Sequence, residues 1–425
     1  MPWHRMNTHS EYGQCVPHTA KPAVHRQNLH AMTDTRKTST TLPEIRFDFG
    51  ALSSTAPEHA AMPSLIRRLA VLAGIGTTER PLGAATLEAL TGGRSEARVF
   101  KLTPFFGPGR GIKGAPVVMK IAPDLQCVRE KANYDACVRH TLPAASRPEL
   151  LGFVRTRTHS GLCYSFVGGA DGLSGDTLTD CLQRGDLAKL DLVLRSLIKP
   201  MRNTWHAPAL LRMERDIAKR YLDRYFTGPR STAQTESTLQ ACAARYFGAQ
   251  QEAGRCVIGA LSFPSPRTIL FASRRKRPYR SCIIHGDLNS DNLIVTGGRS
   301  GVANVAMIDF QKTGRGHVHE DLIALEASVR INFPQDTDCS DILEQEHLIA
   351  LGRGSRKDPY TASMRKIRDT ATRHFGQVED AANYHFAVAA IGLRLMQATD
   401  LVHVARARIT ASTLWAAKVL AGEKI

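Results

Sequence analysis

The sequence predicts an α+β fold, and three observations carry that prediction. Strand-like apolar runs crowd residues 97–167, and helical spacing of apolar residues takes over from Asp186 onward. Between the later helices, residues 281–310 change period again and set polar side chains among apolar ones. Strands gathered in one part of a chain and helices in another are the mark of an α+β protein. At 425 residues the chain is long enough for two lobes and a tail, but too short for several independent large domains. A hydrophobic content of 43% supports a folded core.

Taken in order, residues 1–58 are rich in His, Thr, Ser and Pro, show no sustained period, and read as a disordered leader. His4, His9, His18, His25 and His30 lie there at irregular gaps that lack the pairing of metal ligands. Residues 62–74 give a short amphipathic helix. Strands at 97–106 and 115–122 flank the glycine-rich 107–114 and predict a hairpin with a long turn. A helix follows from Val128, then two strands at 151–155 and 162–167. Apolar spacing predicts helices over 186–205 and 210–226. Residues 228–280 lengthen the path to the central stretch and end in the basic run 274–280. Further helices are expected over 322–330, 342–351 and 361–375, and a long, mostly apolar helical region over 383–420.

Within 281–310, Cys282-Ile283-Ile284 run into His285-Gly286-Asp287, and Leu293 to Val295 form a second apolar run. Val305 to Ile308 form a third, which ends at Asp309. The pattern is strand, loop, strand, turn, strand. Asp287 and Asn292 stand five residues apart on one loop, and Asp309 ends the next hairpin strand. Metal-assisted phosphoryl transfer needs such a set. One acid orients a hydroxyl, while an amide and a second acid hold magnesium, which prefers a few hard oxygen ligands beside nucleotide phosphates. Turn formation explains each Asp or Asn singly. It does not explain their joint spacing with His285 and Asp321.

On these residues the chain resembles the catalytic core of the aminoglycoside phosphotransferase and choline kinase group, relatives of protein kinases. That group's pattern is H-x-D-x-x-x-x-N followed by a strand ending in I-D. The resemblance implies a protein-kinase-like bilobal fold, with a small β-rich N-lobe over 59–170 and a large, mostly helical C-lobe over 171–425. It implies ATP or GTP and Mg2+ as cofactors. Asp287 then takes the catalytic base position, His285 supports the loop from within, and Asn292 and Asp309 are the magnesium ligands. Asp321, in the segment from Gly316 to Leu322, is structural. Lys120, in the run Val117 to Ala122, matches the lysine that grips the nucleotide phosphates, and Glu130 matches the glutamate that pairs with it. G-x-G-x-x-G is absent; by position Gly92 and Gly93, in the segment 91–95, are taken as the turn over the phosphates, with the glycine cluster 107–114 as the alternative. Phe166, Val167 and Gly168 match the hinge that reads the base through backbone groups. Carboxy-terminal helices build the acceptor pocket in such enzymes, which makes Glu326, Asp358 and Tyr360 candidates for it. The chain departs from the protein-kinase pattern at Gly286, where H-R-D has its arginine, and at Gln311, which follows Asp309-Phe310. No A-P-E triplet follows. A small-molecule hydroxyl acceptor is favoured over a protein one.

Composition narrows the rest. A net charge of +17 favours acidic partners and leaves nucleic acid open as one. A polycationic acceptor would need a local acidic pocket. The nine cysteines include no C-x-x-C pair, so no zinc or redox motif is visible, and they read as reduced core thiols of a cytoplasmic protein. Every long apolar stretch is interrupted by charge, and none can span a bilayer. The expected activity is Mg-dependent phosphoryl transfer to a small-molecule hydroxyl. The alternatives are a silent nucleotide- or partner-binding module, of the kind found in bacterial conflict systems, and a basic nucleic-acid-associated protein.

Overall fold

The computed structural model describes residues 47–48, 62–76, 82–90, 97–107, 111–168, 175–226, 231–272, 276–296, 304–334, 337–355 and 357–424. The chain divides into two units. One is formed by residues up to Val128 together with Leu150–Phe166, the other by Arg129–Glu149 together with the residues from Val167 onward. The chain is thus an α+β protein with a β-rich part and a mostly helical part.

The smaller unit is a sheet with one helix laid on it. Its elements are β1 (Phe47–Asp48), α1 (Met62–Leu72), β2 (Leu82–Leu90), β3 (Arg98–Phe106), β4 (Ile112–Lys113), β5 (Val117–Pro123), β6 (Leu150–Arg155) and β7 (His159–Ser165). The strand order is β1-β2-β3-β5-β7-β6, with β4 paired to β3. β1 falls inside the stretch expected to be a leader and pairs parallel with β2. The rest of that stretch, its five histidines included, lies outside the described residues. In α1, Leu65, Ile66 and Leu69 recur at helical spacing and are wholly buried with Phe100, Leu102, Met119 and Ile121 of the sheet. Each such side chain contributes roughly 1.5–3 kcal/mol. Helix and sheet come close at Gly161, where a Cβ would lie 2.8 Å from the Leu69 Cδ1 methyl and would push that side chain aside.

α2 (Asp124–Asn133) runs from one unit into the other. The larger unit then holds β8 (Asp176–Thr177), α3 (Leu178–Gln183), α4 (Leu187–Asn203), β9 (Arg212–Glu214), α5 (Ile217–Tyr225), α6 (Ser231–Phe247), β10 (Gln250–Glu252), β11 (Arg255–Ile258) and β12 (Leu261–Pro264). It continues with β13 (Tyr279–Ile284), β14 (Leu293–Thr296), β15 (Asn304–Met307), β16 (Gly314–His317), α7 (Glu320–Asn332), α8 (Cys339–Ala350), α9 (Pro359–Phe375), α10 (Ala381–Leu395) and α11 (His403–Leu420). Three small sheets, β10-β11-β12, β16-β13-β9 and β15-β14-β8, are set among these helices.

One expected helix is shorter than its spacing suggests, and two regions read only coarsely from the sequence gain detail. The helix expected over 210–226 starts only at Ile217, because Asp216 caps it by accepting the Ala218 and Lys219 amides, and Arg212–Glu214 pair with β13 instead. The insert 228–280 is structured among its described residues: α6 is followed by a meander whose first turn is Ala253-Gly254, both at positive φ. The region 383–420 is two helices. Gln397-Ala398-Thr399-Asp400 separates them, Thr and Asp being residue types whose short polar side chains disfavour helix interiors. Among the described residues no helix is long and apolar enough to cross a membrane, and all eight described cysteines are free, seven of them buried.

Candidate active site

The centre of the larger unit is set by two registers. β13 pairs antiparallel with β16, Ile284 opposite Gly314, so the loop that begins at His285 leaves the sheet beside the segment after Asp309. β14 pairs with β15, Leu293 opposite Met307. One step beyond that pair the Ile308 amide donates to the Asn292 carbonyl at 3.0 Å. Asn292 and Asp309 are therefore neighbours at the base of one hairpin. Their separation in sequence is the length of that hairpin.

Each polar group of the loop is held by a named partner. The His285 and Gly286 amides donate to the two carboxylate oxygens of Asp321, at 2.7 and 2.8 Å. Asp321 lies in the first turn of α7 and is buried. Burial pushes its carboxyl up to about 7, against the pull of those two backbone donors. His285 is fully buried, and burial holds its imidazole below the usual range, so it is neutral at pH 7. A carbonyl acceptor at 2.9 Å, that of Ile308, places its proton on Nε2. The Asn289 side chain accepts the Asp291 and Asn292 amides and closes a 3-10 turn. Asn292 Nδ2 donates to the Asp287 carbonyl at 2.8 Å. That bond uses the amide nitrogen and leaves Oδ1 as an acceptor, the donor type that magnesium takes. Below the loop, Ser290 donates its amide to Ser328 Oγ at 2.9 Å and receives Asn332 Nδ2 at 2.9 Å, which seats the loop on α7.

Asp309 has φ 63° and ψ 72°, left-handed backbone for a residue with a side chain. It opens a 3-10 turn over Phe310–Lys312. The Phe310 ring packs tilted against His285 and edge-on to Tyr134, with centroids 5.3 and 5.7 Å away. The turn brings Lys312 back to the loop, where its Nζ donates to Asp287 Oδ2 at 2.7 Å, both side chains being partly exposed.

Two further residues hold this frame, and sequence reasoning missed them as it missed Lys312. Arg224 of α5 donates Nη2 to the Gly286 carbonyl at 2.7 Å and sets Nε 2.5 Å from Glu320. Burial raises the Glu320 carboxyl, but the Arg224 and Arg220 guanidiniums outweigh it and hold the group below its usual range. Gly286 is at φ 79°, and a Cβ there would lie 2.4 Å from the Lys312 carbonyl oxygen and 2.6 Å from Arg224 Nη2. Asn133, the last residue of α2, donates Nδ2 to the Gln311 carbonyl at 2.8 Å. No local signal marks any of the three.

The other expected site residues divide between the units. Lys120 is buried in β5, opposite Val99, which is itself opposite Leu90. Leu90 and Arg98 flank the segment that carries Gly92 and Gly93, so that segment joins the sheet at the Lys120 end, whereas Gly107 and Gly114 belong to the opposite end. Gly92 and Gly93 themselves lie outside the described residues. Glu130 is buried in α2 on the larger unit. The chain passes between units at Phe166 and Val167. Phe166 carries the Lys101 ammonium 4.9 Å over its ring, and Val167 and Gly168 are half-buried.

The candidates for acceptor lining are committed elsewhere. Glu326 is buried between Arg330 at 2.7 Å and Arg368 at 2.8 Å, Tyr360 is buried with its hydroxyl on Glu346, and Asp358 caps α9. Each is thus already satisfied by its own partners.

The model of a family described as the phosphotransferase enzyme family matches residues 86–347. Among solved structures, similarity is found to a thermostable mutant of aminoglycoside phosphotransferase APH(4)-Ia in ternary complex with AMP-PNP and hygromycin B, at 14% identity and TM-score 0.39, covering 77% of this chain and 92% of that one. It is found also to aminoglycoside phosphotransferase APH(3'')-Id from Streptomyces rimosus, at 17% identity and TM-score 0.35, covering 73% and 98%. A Plasmodium vivax ethanolamine kinase matches at 12% identity and TM-score 0.34, covering 80% and 84%. No curated protein matches the chain.

Proposed function

The chain belongs to the phosphotransferase enzyme family, and from that premise we propose that it moves the γ-phosphoryl group of ATP or GTP to a hydroxyl of a small molecule, with Mg2+. One observation carries the reading: hydrogen bonds join the Asp287, Asn292 and Asp309 segments into one frame. Asn292 bonds the Asp287 carbonyl, and the Ile308 amide bonds Asn292.

In this reading Asp287 accepts the hydrogen bond of the attacking hydroxyl and aims its oxygen at the phosphorus. Asn292 Oδ1 and the Asp309 carboxylate would hold the magnesium. The set fits, since both offer hard oxygens and the amide nitrogen of Asn292 is already engaged. When bound, the ion neutralises charge on the phosphates. Lys120 holds phosphate oxygens and Glu130 positions Lys120, while Gly92 and Gly93 belong to the turn that covers the phosphates and Phe166, Val167 and Gly168 to the hinge. His285 stays uncharged and ties the loop to the strand before Asp309. Catalysis is then mainly placement and charge neutralisation. Seven buried free thiols suit a reducing compartment, and we place the reaction in the cytoplasm.

The test is phosphate transfer from ATP and from GTP across a panel of hydroxyl compounds, with and without Mg2+. Asp287→Asn is expected to lower turnover by about 10²–10⁴-fold with nucleotide binding retained, and Asp309→Ala to remove the response to Mg2+. Magnesium-dependent nucleotide binding with no transfer to any compound would favour a silent module instead.

A further inference from the structure

We propose that Asn133 is the positioning residue that keeps Asp309 in its metal-binding conformation; the proposal rests on the reading of Asp309 as a magnesium ligand. Asn133 closes α2, three residues after Glu130. Its Nδ2 donates to the Gln311 carbonyl at 2.8 Å and lies 3.4 Å from the Phe310 carbonyl. Both carbonyls belong to the turn that Asp309 opens.

Asp309 needs such support. Among the described residues only one other non-glycine residue, Ala253, has positive φ, and Ala253 sits in a hairpin turn beside Gly254. A left-handed backbone at a residue with a side chain is strained and persists only where the surroundings over-determine it. Before Asp309, His285 Nε2–H holds the Ile308 carbonyl. After it, the Phe310 ring is packed by His285 and Tyr134, and the Thr313 amide closes the turn locally onto the Phe310 carbonyl at 3.1 Å. Asn133 adds a side-chain donor that reaches the turn backbone from another segment.

A carboxamide suits that task, because one nitrogen offers two donors to two carbonyls. An aspartate of the same shape would face both carbonyls with oxygen, and an aliphatic side chain would leave them bare. If the turn relaxes, the Asp309 carboxylate swings with its backbone. The metal then loses a ligand, while the contacts of the nucleotide with the rest of the chain are untouched.

The experiment uses the full chain with AMP-PNP at saturation and Mn2+ as the probe, free Mn2+ being read by electron paramagnetic resonance. Wild type, Asn133→Ala, Asn133→Asp and Asp309→Ala are compared, with thermal melting as a check of folding. Both Asn133 variants are expected to weaken Mn2+ binding by about tenfold or more, the usual size of an outer-shell effect on a metal. Hydrogen exchange over residues 310–313 should quicken in both, with the affinity for AMP-PNP without metal unchanged. Asn133→Asp preserves shape, so the comparison survives if the alanine variant melts early. Weak Mn2+ binding in Asp309→Ala with wild-type binding in both Asn133 variants would overturn the role of Asn133 alone. Wild-type binding in Asp309→Ala would overturn the ligand reading beneath it.

Discussion

At the scale of single residues, the pair Asp287–Lys312 separates placement from stability. The two charges meet at 2.7 Å, but the side chains are 32% and 45% exposed, and an ion pair in water is worth little, commonly about 0–1 kcal/mol. What it supplies is a fixed rotamer for Asp287, since a carboxylate already turned toward the acceptor spares the reaction that ordering step. Lys312→Ala should therefore leave urea unfolding within about 0.5 kcal/mol of wild type while turnover falls about tenfold, the scale of lost positioning. Unchanged turnover would make the pair an idle surface contact. Asp287, Asn292 and Asp309 were legible in the sequence because one loop and one hairpin register place them. Arg224 and Asn133 were not, since each reaches its partner across 62 and 178 residues by a bond that leaves no local pattern.

At the scale of elements, the helices behind the site are joined by charge as well as by apolar packing. Arg330 of α7 bonds Glu346 of α8 through two nitrogens, each at 2.9 Å, and also Glu326 one turn back. Arg368 of α9 takes the other side of Glu326, and the hydroxyls of Tyr360 and Tyr384 close the network. Burial works against ionised Glu326, but Arg368 and Arg330 outweigh it and hold its carboxyl well below the usual range. Removing one partner from a buried network costs more than the network contributes. Arg330→Met is expected to lower stability by about 3–5 kcal/mol in urea unfolding. Adding Glu346→Leu should restore part of that loss, because a paired deletion strands no charge. Equal loss in single and double variants would show that the methionine side chain fails there by shape. Helix existence here was legible from spacing, as in α4 and α9, but helix start was not. Asp216 decides it for α5, and the residues before that cap join a strand. The end of the basic run 274–280 is likewise strand: Tyr279 and Arg280 begin β13 and pair with β9.

For the whole molecule, acid is the expected weakness. His206 and His317 are wholly buried, and burial takes each down to about 3. The unfolded chain binds their protons from about pH 6.5 downward while the folded chain does not. Folding then loses about 1.4 kcal/mol per pH unit for each, or about 4 kcal/mol together at pH 5. Asp321 acts in the opposite sense. Its folded value of about 7 lies above the unfolded one, so the stability it contributes is full at low pH and is lost as pH rises through 7, and on acidification it returns about half of the histidine loss. Urea unfolding at pH 5.0 should therefore lie about 2 kcal/mol or more below that at pH 7.5, and equal values would mean the buried histidines take up protons without opening the fold.

The way the chain threads its two units has a consequence for dissecting the gene. The unit that holds Asp287, Asn292 and Asp309 is not one contiguous piece, because Arg129–Glu149 belongs to it and Leu150–Phe166 does not. An expression product starting at Val167 would carry every polar group of the loop and still lack Asn133 and Tyr134, two of the side chains that hold the Phe310 turn. Such a half-gene should be inert by itself, and a peptide spanning 129–149, supplied in trans, should restore the hold on the Phe310 turn without restoring turnover, because Lys120 belongs to the other unit.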